Sequence, residues 1–152
     1  MSLPTPLTHS WPLFERGQRF DLGQLVPGDL LVRSAPEELG KLTAQGIGLW
    51  ECDLADNSLN WTAGVYDLFG LPRDAAITRD DIVGLYAEPS RSAMERLRTH
   101  AIRHRRGFTL DVEIVPSTGA RRWLRLIAAP VCDHGRAVRL HGIKQDVTAA
   151  YR

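Results

Sequence analysis

A change of hydrophobic period after residue 107 constrains the fold of this chain more than any other feature. Over 108–114 apolar and polar residues alternate strictly, which is the period of a half-buried β-strand. Two further extended stretches, 122–129 and 138–147, each follow a turn signal, at 117–119 and 133–135. Turns this short join neighbouring antiparallel strands. The second half of the chain is therefore predicted to be a three-stranded antiparallel meander.

The stretch before this meander combines a hairpin with helices. Residues 47–53 and 59–61 are extended runs separated by turn residues, which predicts two paired strands. Thr62 and Thr78 are suited to cap two short helices, the second of which is expected to continue through Tyr86, and Pro89 is suited to open a longer helix. The predicted fold class is α+β: a five-stranded antiparallel sheet with short helices and one longer helix between its second and third strands.

The chain divides into an arm, a short helix, a core and a tail. Residues 1–33 contain several prolines and no sustained period, which predicts an extended N-terminal arm. A capping box opens a predicted amphipathic helix over 34–45. The sheet and its helices occupy 46–148, and 149–152 are expected to begin a C-terminal linker.

Composition excludes several classes of function. Lys+Arg 19 against Asp+Glu 18 gives a net charge of 19 − 18 = +1, too little to attract nucleic acid. No apolar run approaches the ~20 residues that span a bilayer, and no signal peptide is recognisable. Cys52 and Cys132 lie far apart without CxxC spacing, so neither a disulfide framework nor a metal site is expected. We expect a cytoplasmic protein without membrane insertion.

No catalytic motif occurs in the sequence. G-x-S-x-G, HExxH, P-loop and GxGxxG patterns are all absent. The acidic pair Asp80-Asp81 is suited to the first turn of a helix. We therefore predict no catalytic residues and no enzymatic activity for this chain.

Four short motifs follow one another in a recognisable order. They are Gly46-Ile-Gly-Leu-Trp50 with Asp53, Trp61-Thr62 with Tyr66-Asp-Leu-Phe-Gly70, Gly119 followed by Arg122-Trp123, and Gly142-Ile-Lys-Gln-Asp-Val-Thr148. Together they resemble PAS domains of bacterial sensory and signal-transduction proteins, in the subgroup that begins with a tryptophan strand (PAS fold-3-like). The resemblance extends over roughly two thirds of the chain.

One stretch departs from the pattern of that subgroup. Its members usually carry His-Pro-x-Asp before the long helix, whereas this chain has Glu88 and Arg91 around Pro89. The roles of that histidine and aspartate are therefore not transferred to this chain.

The resemblance implies a sensory input module, for example of a two-component system, that binds a small ligand in a mostly apolar pocket and relays a signal through dimer or partner contacts. If Asp111 and Glu113 point to solvent, the alternating apolar residues of that strand point into the pocket. The alternative is a ligand-free protein-interaction or dimerisation domain with a filled core. The candidate pocket residues are Trp50, Cys52, Tyr66, Phe69, Met94, Leu97, Phe108, Leu110, Val112, Leu124, Leu126, Leu140 and Lys144.

Lys144 is the unusual member of this set. By alternation it shares a strand face with Leu140 and Gly142, and in cofactor-binding relatives the matching position often looks into the pocket. An amine there would need a carboxylate partner, from the protein or from an acidic ligand. The alternative is a side chain that extends to water, or a register shifted by one residue.

The sequence leaves any cofactor undetermined. Haem and a non-covalently bound flavin stay open, but no motif supports either. His100 and His104 lie one turn apart on the long helix among arginines, which is typical of a solvated face. Photoreactive flavin chemistry is disfavoured, because Cys52 and Cys132 fall on predicted strands rather than on a helix facing the ring.

The resemblance also implies assembly, with a homodimer expected. Output would come from a histidine kinase, a diguanylate cyclase or a DNA-binding transcriptional regulator, in the same chain or in another. If the outer residues pack only under the chain's own helix, the module could instead be monomeric. The candidate dimer or outer-face residues are Leu39, Leu42, Trp123, Ile127 and Ile143.

Overall fold

A computed structural model describes residues 8–10 and 36–151 of the chain. The strands are β1 (Thr8–Ser10), β2 (Ile47–Asp53), β3 (Leu59–Trp61), β4 (Phe108–Ile114), β5 (Arg122–Asp133) and β6 (Arg136–Asp146). The helices are α1 (Pro36–Ala44), α2 (Ala63–Leu68), α3 (Arg79–Val83) and α4 (Glu88–His104), and a 3-10 turn spans Thr148–Tyr151.

One antiparallel sheet contains all these strands, in the order β1-β4-β5-β6-β2-β3. The predicted α+β class and its five strands are confirmed. β1 was not predicted as a strand: it pairs with Phe108–Leu110 of β4, because an edge strand leaves backbone groups unpaired. The rest of the arm predicted over 1–33 lies outside the described residues.

The inner face of the sheet carries the main core. Helices α2, α3 and α4 contribute Val65, Ile82 and Met94 to it, against the inward residues of β4, β5 and β6. A Cβ on Gly142 of β6 would lie 1.8 Å from the carbonyl oxygen of Ile127 on β5. Only glycine therefore permits these two strands to approach as they do.

The loop between α3 and α4 differs from the sequence prediction. The helix opened by Thr78 was expected to continue through Tyr86, but it ends at Val83, with Gly84 as its C-cap. The next residues pair with the end of β4 instead: Val115 N–H donates to the Leu85 carbonyl at 2.7 Å, and Tyr86 forms a β-bridge. Edge pairing thus replaces the last helical turn and directs Tyr86 into the core.

Thr62 also acts differently from its predicted role. It occupies the N-cap position of α2 but makes no side-chain cap hydrogen bond. Its hydroxyl oxygen accepts from the Leu49 N–H at 3.0 Å. Thr62 therefore ties the end of β3 to β2, whereas Thr78 does accept from the Asp81 N–H as a cap should.

The outer face of the sheet packs under α1. Leu39 and Leu42 of this helix contact a buried cluster that includes Ile127 and Ile143. A nine-residue helix is too short to be stable by itself, so the apolar face of α1 stays on the sheet. These four predicted dimer residues therefore pack against one another within one chain. This is the packing that the monomeric alternative expects.

Residues 149–152 were expected to start a linker, yet the described tail folds back onto the outer face. The Trp123 carbonyl accepts from Val147 N–H at 2.8 Å, and Trp123 N–H donates to the Thr148 hydroxyl oxygen at 3.1 Å. The ring of Trp123 stacks on Tyr151 with centroids 4.3 Å apart. Trp123 is another of the predicted outer-face residues. Its backbone bonds to Val147 and Thr148 and its ring packs on Tyr151, so it is also covered by residues of the same chain.

Asp111 corrects a further expectation. Alternation placed it on the outer face, where we expected solvent, but it is only 2% exposed. Arg125 donates to it from Nε at 2.9 Å, and the Tyr151 hydroxyl donates to its other oxygen. A buried carboxylate needs such charge-assisted bonds. The period of a strand predicts the face of a residue but not what covers that face.

Candidate ligand site

A cavity of about 60 Å³ lies between the inner face of the sheet and helices α3 and α4. Its walls are mostly apolar. Of the predicted pocket residues, those that line it are Trp50, Cys52, Met94, Phe108, Leu126, Leu140 and Lys144. Those that belong to the surrounding core instead are Tyr66, Phe69, Leu97, Leu110, Val112 and Leu124. The cavity therefore touches only part of the predicted set, and the remaining residues pack in the core around it.

Sequence reasoning missed the other half of the lining. The missed residues are Leu59, Trp61, Arg79, Ile82, Val83, Tyr86 and Arg98. Trp61 carried a usable signal, because it alternates with Asn60 on a predicted strand opposite Trp50. Tyr86 carried none, since its position depends on the β-bridge to Ile114.

Lys144 is part of the cavity wall, and only 6% of it is exposed to solvent. Its ammonium nitrogen donates to the Tyr86 hydroxyl oxygen at 3.0 Å. The alternatives of a solvent-directed side chain and of a shifted register do not hold: Lys144 pairs with Gly48 and Leu126 across its two neighbouring strands. The inward face predicted by alternation is the one it adopts.

Aromatic rings surround this ammonium group. Its nitrogen lies 4.9 Å from the ring centroid of Phe69 and 5.5 Å from those of Trp50 and Trp61. Ring faces at such distances attract a cation. Trp61 also stacks on Phe69 at 5.3 Å. The rings therefore form a partial cage around Lys144 Nζ.

The remaining polar groups of the cavity wall are hydrogen-bond donors and a thiol. Arg79 is paired with Glu95, and Arg98 donates to the Asn57 side-chain oxygen at 2.9 Å. Burial raises the pKa of the Cys52 thiol, against a smaller opposing effect of Arg98, which makes it a poor nucleophile at neutral pH.

This geometry limits which prosthetic groups fit. Drug-sized ligands need roughly 300–1,000 Å³, so a haem or flavin would not enter the cavity at about 60 Å³. No histidine lines it, and His100 and His104 are exposed on α4. Within residues 8–10 and 36–151, no cluster of three or more metal-ligating side chains forms. The cavity in this form suits only a small molecule.

None of the described helices is both long and apolar enough to cross a membrane.

The chain is similar to known proteins both in sequence and in fold. No family model matches the chain. It is 24% identical over 142 residues to a probable diguanylate cyclase, DgcE, of Escherichia coli K12, covering 93% of this chain and 13% of that protein. It is 25% identical over 103 residues to the sensor protein FixL of Bradyrhizobium diazoefficiens, covering 67% of this chain and 20% of that protein. The chain thus spans a fifth or less of each relative.

One solved structure is matched over nearly its whole length. The N-terminal domain of a diguanylate cyclase with PAS/PAC sensor from Marinobacter aquaeolei superposes with a TM-score of 0.62 at 14% identity, covering 68% of this chain and 96% of that domain. At this identity the match concerns the fold. The antiparallel sheet with its helices matches this neighbour over most of the described chain, and this chain therefore has the PAS fold that its sequence predicted.

Proposed function

We propose that this chain is a sensory input domain that binds a small ligand in the cavity beneath α3 and α4 and relays its occupancy to an output partner. By analogy with the diguanylate cyclases to which the chain is similar, that partner is a diguanylate cyclase; a histidine kinase or a DNA-binding regulator, in the same chain or another, is the alternative that the sequence resemblance implies.

The observation that carries the proposal is the burial of Lys144 against the cavity. Placing an ammonium group in a dry interior costs several kcal/mol unless strong partners compensate for it. A position needed only for packing would be filled more stably by an apolar residue of similar volume. Lys144 has a single hydroxyl partner and four nearby rings, which supports a binding role.

Strand β6 offers the route by which occupancy would reach the surface. Lys144 faces the cavity, while its neighbour Ile143 packs on the outer face under α1. Two residues later Asp146 accepts from the Thr148 N–H at 2.9 Å, at the start of the tail. A shift of β6 on binding would therefore act on both α1 and the 3-10 turn.

The test is to purify the protein without added ligand and to record its absorption spectrum and its native and denaturing mass spectra. A released molecule of defined mass, or stabilisation by members of a panel of small metabolites, supports the proposal. A colourless protein whose native mass is a whole multiple of the chain mass, and which no panel member stabilises, contradicts it.

The alternative function is a ligand-free interaction or dimerisation domain. The small size of the cavity, about 60 Å³, favours it, because most of the interior is filled by side chains. A homodimer would have to use surfaces other than the outer-face cluster, such as the exposed side of α1 with Glu37, Glu38 and Lys41. Sedimentation equilibrium that gives a dimer mass, together with the negative ligand result above, would favour this function.

A further inference from the structure

We propose that the cavity binds a small organic anion, in particular a short-chain monocarboxylate whose carboxylate pairs with Lys144. The inference rests on the proposed function and names the chemical class of its ligand. It follows from the charge, the unused donors and the size of the cavity.

The charge of the cavity wall is one-sided. Lys144, Arg79 and Arg98 line it, and no aspartate or glutamate does. Arg79 is neutralised by Glu95, but in the described part of the chain no carboxylate forms an ion pair with Lys144. A buried cation without a counter-charge is costly. An anion entering from solution would supply that counter-charge.

The cavity also has donors without acceptors. The ammonium group of Lys144 has three N–H donors, and its one hydrogen-bond partner in the described residues is the Tyr86 hydroxyl. Trp50 lines the same cavity, and its Nε1 is buried without a hydrogen-bond partner. Aromatic faces attract the charge but do not replace these bonds. A carboxylate has two oxygens with several acceptor sites and would accept from such donors.

Size and lining restrict the rest of the ligand. A water molecule needs roughly 10–15 Å³ of cavity space, so the volume of about 60 Å³ holds about four to six water molecules, or a ligand of similarly few non-hydrogen atoms. Beyond Lys144 the wall is formed by apolar side chains such as Phe108, Leu126 and Leu140. A short hydrocarbon tail would replace water against these residues at a gain of about 0.8 kcal/mol per CH₂. Acetate, propionate and butyrate combine the required charge and size.

The test measures thermal unfolding of the full chain in sodium propionate, in sodium chloride of equal ionic strength, and in propionamide, the neutral analogue. Lys144→Met keeps the length of the side chain and removes the charge. Lys41→Met is the matched control, because Lys41 is the other lysine of the chain and is exposed on α1.

We expect propionate at about ten times its Kd to raise Tm by about 3–6 °C in the wild type and in Lys41→Met. Lys144→Met should bind at least about tenfold more weakly, because it loses a charge-assisted hydrogen bond. Chloride and propionamide should leave Tm unchanged.

Several results would overturn the inference. These are equal stabilisation of Lys144→Met and wild type by propionate, equal stabilisation by chloride, or no effect of any short-chain acid. If Lys144→Met does not fold, the test rests on the wild-type protein. An increase in its Tm with propionamide as large as that with propionate then overturns the inference. Binding of neutral compounds only would refute the anion and leave the sensory function standing. A native mass that is a whole multiple of the chain mass, together with no stabilising compound of either class, would refute both the anionic ligand and the sensory function.

Discussion

The ammonium nitrogen of Lys144 and the hydroxyl oxygen of Tyr86 lie 3.0 Å apart, although 58 residues separate them along the chain. Lys144 belongs to the inner face of β6, and Tyr86 comes from the segment between α3 and α4. The bond therefore joins the sheet to the helical layer across the cavity.

Tyr86→Phe should remove this bond and leave the ring in place. Lys144 would then be a buried donor without a hydrogen-bond partner in the described residues, which costs about 1–3 kcal/mol of unfolding free energy. Urea denaturation followed by circular dichroism measures the loss. Tyr66→Phe is the control: Tyr66 is half-buried beside Trp61, so its hydroxyl should matter little. Equal losses in both variants would contradict the role of Tyr86.

Gly142→Ala should destabilise the sheet, since the added Cβ would meet the Ile127 carbonyl oxygen at 1.8 Å. Neither backbone can move without disturbing the pairing of β5 with β6, so we expect a loss of about 3 kcal/mol or more. Gly40→Ala on α1 is the control, because a Cβ there has no atom within 4 Å and alanine favours a helix. A Gly142→Ala protein with the wild-type denaturation midpoint would show that the strands separate freely.

Arg122→Ala should weaken the attachment of α2. Its guanidinium donates from Nη1 to the carbonyl oxygens of Asp67 and Leu68, each at 2.8 Å, and so satisfies the open end of that helix. We expect a loss of about 1–3 kcal/mol in chemical denaturation. Arg121→Ala should change stability by less than about 0.5 kcal/mol, since Arg121 is exposed and pairs loosely with Glu113 at 3.3 Å. The interpretation fails if the two variants behave alike.

His141 should make stability depend on pH. It is 4% exposed on the outer face, and burial, with a smaller effect of Arg139, lowers its pKa from 6.5 to about 4. Between these values the unfolded chain binds a proton that the folded chain excludes. The contribution of neutral His141 to the free energy of unfolding is therefore complete above pH 6.5. It is lost as the pH falls towards 4, by up to about 3 kcal/mol.

Urea denaturation from pH 7 to pH 4 measures this effect, with His141→Leu as the reference. Its Nε2 is buried without a hydrogen-bond partner, so leucine removes the titration without breaking a bond at that atom. The wild type should lose stability relative to His141→Leu as the pH falls. Parallel curves for the two proteins over this range would mean that His141 is protonated as readily in the folded chain.

The family motifs could be recognised from sequence, and the structure now gives them physical roles. Gly142 permits two strands to approach, Arg122 satisfies the end of α2, and Thr148 holds the tail on Trp123. Each of these residues joins parts of the fold that are distant in sequence, as Arg122 does with Asp67 and Thr148 with Trp123, so the motifs together mark one arrangement of the sheet and its helices. The strand periods left two alternatives for Lys144, and the inward-facing one is the one that the structure has.

The composition of the site could be predicted only in part. Strand alternation identified wall residues such as Phe108 and Leu140, but the opposite wall depends on where the helices rest. Tyr86 enters the cavity because its segment pairs with β4 rather than continuing α3, and that choice depends on long-range hydrogen bonds. Asp111 is buried for a similar reason, since Tyr151 returns from the end of the chain to cover it.

The most direct test of ligand binding in this cavity is the NMR spectrum of the indole N–H groups during titration with propionate. The ¹⁵N-labelled protein has four tryptophans, and Trp→Phe variants assign their signals. We predict that the signals of Trp50 and Trp61, which line the cavity, shift progressively to saturation, while that of Trp123 on the outer face changes little. Unchanged Trp50 and Trp61 signals, or a response confined to Trp123, would contradict a ligand site at Lys144.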